Sequence, residues 1–147
     1  MMNSPIQRGR WVVTIGAVVI VVSCFLQWWS LGGGPGELDA TTGIGISDSG
    51  FLLFIAAVAT LLLVALPYMS DGPVAIDRPV SFLALLAIAV VAFAWRVADM
   101  YGKGLLLYTG QTPPVQPLRG PGFWIAAFGL VIFARGVFEL WEARRRF

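Results

Sequence analysis

Residues 49–70 read SGFLLFIAAVATLLLVALPYMS, a run of 22 residues without a charge. A helix that crosses the hydrocarbon core of a bilayer needs about 20 mostly apolar residues, and this run has that length. Three more charge-free runs flank it: Trp11 to Gly36, Pro79 to Trp95, and Gly120 to Ala134. The first is long enough to span. The other two fall short, so each helix built on them must take in an arginine. The spacing predicts four helices near 11–30, 50–69, 79–100 and 121–143. The fold class that follows is all-α, an integral membrane four-helix bundle forming one domain over 1–147.

Composition agrees. The chain has 147 residues, 58% of them hydrophobic and only 12% charged, with mean hydropathy +0.81. Soluble domains carry about a quarter charged residues, and disordered chains are poorer still in apolar ones. Both classes are excluded.

The helix ends carry punctuation. Ser47-Asp48-Ser49 offers cap oxygens to the second helix, and Pro67 with Asp71-Gly72-Pro73 ends it. Pro79 and Pro121 suit first turns, where a missing N–H does no harm. Tryptophans expected as anchors at the two membrane interfaces are Trp11, Trp28, Trp29, Trp95, Trp124 and Trp141. Arg8, Arg10, Arg78 and Arg144–Arg146 fall on one side of this topology and only Lys103 and Arg119 on the other. The basic side is expected to be cytoplasmic, which places both termini inside and the protein in the cytoplasmic membrane.

Two longer segments lie on the outer side, roughly 31–49 and 101–120. The first continues as Thr41-Thr42-Gly43-Ile44-Gly45-Ile46, and the second carries Leu105-Leu106-Leu107-Tyr108. An extended stretch in each could pair with the other as a small outer cap. A lone strand edge at that depth is costly.

Charged residues within spans are the first places to look for function. Arg96 and Asp99 share a face of helix three, three residues apart. Arg135 and Glu139 share a face of helix four, four apart. Both pairs lie toward helix ends, so the expected role is an interfacial ion pair that fixes depth. The sharper alternative is a polar contact for a lipid headgroup or a partner subunit, with Arg135 the deeper candidate. Small residues mark close-packing faces: Gly16 on helix one, Ala84, Ala87 and Ala94 with Val91 on helix three, and Gly122, Ala126 and Gly129 on helix four. Packing within the bundle is expected of these, with oligomerisation the alternative.

Absences narrow the function. The chain has no His and one Cys, so it lacks His-bound haem, His-ligated zinc, His proton relays and internal disulfides. No cofactor is expected, and no mid-span carboxylate suggests an ion-coupled pathway. Nucleic-acid binding is not supported by a net charge of +2 spread along the chain. Val21-Val22-Ser23-Cys24 has the look of a lipobox. The residues that follow are apolar rather than a polar tether, so Cys24 is expected to serve packing.

The succession Trp28-Trp29-Ser30, then Thr42-Gly43, then Ser49-Gly50-Phe51 resembles small four-pass bacterial membrane proteins of unassigned function. The resemblance implies topology and transfers no functional residue. The outer-loop arrangement is also loosely similar to claudin-type proteins, but their Cys pair and Trp-Gly-Leu-Trp motif are missing. The expected function is non-enzymatic: an accessory or scaffold subunit of a larger membrane complex. Its expected partners are membrane lipids and other membrane subunits or further copies of the chain. The alternative is a small oligomeric transporter or lipid-handling protein with a polar groove near Arg135 and Glu139.

Overall fold

A computed structural model describes residues 5–31, 41–46, 49–70, 79–107 and 120–145. For 5, 29–31, 41–43 and 100–107 it describes the backbone alone. The fold is an all-α four-helix bundle with a small hairpin at one end. The helices are α1 (Pro5–Cys24), α2 (Gly50–Met69), α3 (Pro79–Leu107) and α4 (Pro121–Arg145), and the strands β1 (Gln27–Leu31) and β2 (Thr41–Ile44) lie between α1 and α2. All four helices are long and apolar enough to cross a membrane.

The helices form a ring in which each touches the next, and α4 closes on α1. The contact between α1 and α4 is the most extensive, and it is antiparallel. Gly9 faces Leu140, Gly16 faces Phe133, and Gly136 faces Val13, so numbers rise on one helix as they fall on the other. Glycines recur every seven residues on both helices, at 9 and 16 and at 122, 129 and 136. That period keeps one seam facing the partner. A Cβ on Gly16 would meet the Phe133 backbone N at 2.6 Å, and one on Gly136 would meet the Val13 N at 2.6 Å. The two backbones are therefore in contact, a source of dispersion energy that survives where lipid tails remove any hydrophobic drive. The sequence reading found Gly16 and Gly129 but not the shared seven-residue period.

Helix α1 runs six residues earlier than expected at both ends. Its start takes in Arg8 and Arg10, whose long stems let the charge reach the helix end. It stops at Cys24 because the chain turns there. Phe25 N–H donates to the Val22 carbonyl at 3.2 Å and Leu26 N–H to the Ser23 carbonyl at 3.1 Å. The charge-free run to Gly36 hid this turn, because aromatic residues suit a strand as well as an apolar helix.

The expected pairing between the two outer segments is corrected. Thr41–Ile44 is extended as read, but its partner is Gln27–Leu31. Leu105-Leu106-Leu107 belongs to α3, which continues past residue 100 to Leu107. Leucine is a strong helix former, and a helix satisfies its own backbone where a strand would not. Tyr108 and the rest of that segment lie outside the described residues. Pro67 is tolerated inside the last turn of α2, which ends at Met69 with Ser70 N–H on the Leu66 carbonyl at 3.1 Å.

Replacing Gly16 or Gly136 by Val should separate α1 from α4 and destabilise the protein by about 1–3 kcal/mol. Ala134→Val, on the exposed face of α4, should leave stability unchanged. Unfolding by titration with a denaturing detergent, followed by circular dichroism, measures both.

Candidate functional sites at the two ends of the bundle

Among the described residues, interacting polar side chains gather at both ends of the bundle. At the hairpin end the C-terminus of α1 would leave orphan carbonyls, as every helix does. The hairpin reaches two of them. Ile46 N–H donates to the Cys24 carbonyl at 2.7 Å, and the indole Nε1 of Trp28 donates to the Ser23 carbonyl at 2.8 Å. Gly45 N–H bonds the Leu26 carbonyl at 3.1 Å.

Trp28 can do this because the ladder is irregular at its position. Gln27 pairs with Ile44 and Trp29 with Gly43, so Trp28 is an extra residue with no counterpart on β2. Such a bulge re-aims a side chain. The ring is fully buried. It lies 5.7 Å from the Phe93 ring and 5.9 Å from the Phe123 ring, and those two phenyls stack at 5.4 Å. Gly45 and Gly122 both sit against the indole, close enough that a Cβ on either would collide with it. Trp28 is thus corrected from interface anchor to core residue, with no surface to offer a bilayer.

Arg96 lies next to this cluster. It is buried, its side chain only 1% exposed, and its Nη1 donates to Asp99 Oδ2 at 3.2 Å. Its Nη2 donates to the Ile44 carbonyl at 3.1 Å. Asp99 Oδ2 also accepts from the Ser49 hydroxyl at 2.9 Å. The guanidinium therefore ties α3 to β2, and the carboxylate ties α3 to the residue before α2. Ser49 makes no side-chain cap bond to α2; its hydroxyl serves Asp99 instead. Gly50 sits against the Gly45 carbonyl, and a Cβ there would also approach Arg96 Nε at 3.3 Å.

At the opposite end, Glu139 receives two arginines. Its Oε1 accepts from Arg135 Nε at 3.1 Å and its Oε2 lies 3.7 Å from Arg8 Nε. The carboxylate is largely covered, with 15% of its side chain exposed, whereas Arg135 and Arg8 are 65% and 70% exposed. Arg10 Nη2 donates to the Val64 carbonyl at 3.1 Å, and its guanidinium lies 6.0 Å from the Tyr68 ring centroid. Helix α2 has no basic residue of its own in its last turn. Arg10 supplies that charge from α1, where the helix dipole favours it.

Both sequence-paired couples, Arg96 with Asp99 and Arg135 with Glu139, form ion pairs. The structure does not bring the two pairs together. Trp11 and Trp141 are exposed toward the arginine end, and Trp95 and Trp124 toward the hairpin end. The side chain of Trp29 lies outside those described. The sequence reading missed Arg8, Ser49 and the Ile44 carbonyl as members of the sites. An earlier start for α1 would have found Arg8, because antiparallel packing sets it level with Trp141. Among the described residues no group of three or more His, Cys, Asp or Glu could hold a metal ion, and Cys24 is buried.

No known protein family, curated protein or solved structure matches the chain.

Asp99→Asn removes a counter-charge from the buried guanidinium and should destabilise the protein by about 3 kcal/mol. Ser49→Ala, which removes one hydrogen bond to the carboxylate, should cost about 1 kcal/mol. Equilibrium unfolding of the two variants beside the parent protein gives both values.

Proposed function

We propose that the protein is a non-enzymatic accessory or scaffold subunit of a larger membrane assembly, seated in the cytoplasmic membrane with both termini cytoplasmic. The reading is supported above all by one observation, the outward face of α3. Only 22% of the α3 span is buried, against 39% of α4. Ala84, Ala87, Val91, Ala94 and Ala98 are all exposed, spaced alternately by three and four residues. That spacing runs straight along a supercoiled helix. At helical spacing Leu83 and Val90 flank the stripe on one side and Ile88 and Trp95 on the other, and all four are exposed. The result is a shallow groove with a floor of mostly small residues.

A floor of alanines gives lipid tails little to grip but lets the backbone of another helix come close. The glycine faces of α1 and α4 are consumed inside the bundle, whereas this face of α3 is not. A second membrane helix, from another subunit or another copy of the chain, fits it. The orientation draws on the excess of arginine at the end of the bundle that carries both described helix termini of α1 and α4, where Arg8, Arg10, Arg144 and Arg145 lie.

The transport alternative uses Arg135 and Glu139. Arg135 points outward from the bundle, which favours contact with the surroundings over the lining of an internal path.

Purification from native membranes in a mild detergent should recover the protein with other membrane subunits or as an oligomer. The double substitution Ala87→Ile with Ala94→Ile should abolish that association and leave the helical content intact. Recovery of the parent protein as a lone monomer, or unchanged association in the double variant, contradicts the reading.

A further inference from the structure

We propose that Arg8, Arg135 and Glu139 form a binding site for the phosphate of an anionic phospholipid in the leaflet at the arginine end of the bundle. The inference is independent of the accessory role, because it uses a different helix face and a different partner.

Charge balance is the first argument. Two guanidinium groups share one carboxylate, which leaves a net charge of one positive unit. Trp124 and Trp141 lie 17 residues apart on α4, about 26 Å at 1.5 Å per residue, close to the hydrocarbon thickness of about 30 Å. Arg135 lies six residues inward of Trp141, about 9 Å deeper. At that depth Arg135 has Glu139 as its counter-charge, and it shares that carboxylate with Arg8, so a further anion beside the pair is favoured. Arg8 sits near the level of Trp141, so the pair spans the zone from headgroup to upper acyl chain.

Donor geometry is the second argument. Both arginines approach Glu139 through Nε. Both arginine side chains are largely exposed, so each guanidinium can offer its other N–H groups outward. A planar fork of this kind matches phosphate oxygens in a bidentate manner. Glu139 itself is mostly covered, so it orients the two forks without presenting its own charge to the lipid. A phospholipid satisfies both requirements. Its phosphate supplies the missing negative charge, and its tails lie along the exposed apolar side chains of α4, among them Phe128, Val131 and Phe138.

The test uses the full-length protein in a zwitterionic detergent with equal amounts of phosphatidylglycerol and phosphatidylcholine of identical acyl chains. Native mass spectrometry reads the lipids retained. The parent protein should prefer phosphatidylglycerol, and the preference should fall by at least about tenfold in Arg8→Gln with Arg135→Gln. Arg144→Gln with Arg145→Gln removes the same charge from the exposed end of α4 and should keep the preference. Arg8→Lys with Arg135→Lys keeps the charge but loses the fork, and should show an intermediate loss. This variant carries the test if the glutamine pair fails to fold. No preference in the parent, equal loss in the two glutamine pairs, or full retention in the lysine pair overturns the proposal. So does displacement of the lipid by millimolar inorganic phosphate, which would assign the site to a soluble anion. A loss of oligomer in Arg8→Gln with Arg135→Gln at unchanged lipid retention overturns it as well, by assigning the cluster to a protein contact.

Discussion

A guanidinium buried where water is excluded must be neutralised and hydrogen-bonded within the protein, and Arg96 sets that demand at the hairpin end. Its partners come from separate pieces of chain: Asp99 one turn along its own helix, and the Ile44 carbonyl from β2. Asp99 in turn takes the Ser49 hydroxyl. Once these are in place, β2 and the two residues after it are fixed against α3. Gly45 and Ile46 are brought under the end of α1, where Ile46 N–H meets the Cys24 carbonyl that the helix cannot satisfy itself and Gly45 N–H meets the Leu26 carbonyl of the turn. A two-stranded hairpin is marginal alone in water; this one is held by the bundle that it caps.

The two ends of the molecule answer the same constraint in opposite ways. At the hairpin end the polar groups turn inward, and an aromatic cluster of Trp28, Phe93 and Phe123 closes around them. At the arginine end the charges of Arg8 and Arg135 turn outward, and only Glu139 between them is covered. The small hydroxyls inside the helices need no partner from elsewhere. Ser23, Thr14 and Thr60 each donate back to a carbonyl in the preceding turn. Between the ends, the glycine seam of α1 and α4 supplies close contact without any polar group at all.

Much of this was legible in the sequence because a bilayer makes a simple demand. Charge-free length identified four helices, and the starts at Gly50, Pro79 and Pro121 followed from local punctuation. The ion pairs were legible too, because spacings of three and four place side chains on one helix face. The rest depended on tertiary context. The run from Trp11 to Gly36 carries no signal for where helix gives way to strand, so the turn after Cys24 was invisible and Trp28 looked like an interfacial anchor. Only the bulge opposite Gly43 and Ile44 turns its ring inward. Leu105–Leu107 reads equally well as strand or helix, and continuation of α3 decides it. Arg8 escaped because its partner Glu139 lies far along the chain, joined to it by packing rather than by spacing.

Arg96 holds the hairpin onto the end of the bundle. Hydrogen exchange at the Gly45 and Ile46 amides, compared between the parent protein and Arg96→Leu in the same detergent, tests it most directly. Both amides should be protected in the parent and exchange at least about tenfold faster in the variant, while the amides of α4 around Gly129 and Phe133 keep their protection. Equal protection of Gly45 and Ile46 in the two proteins would contradict it.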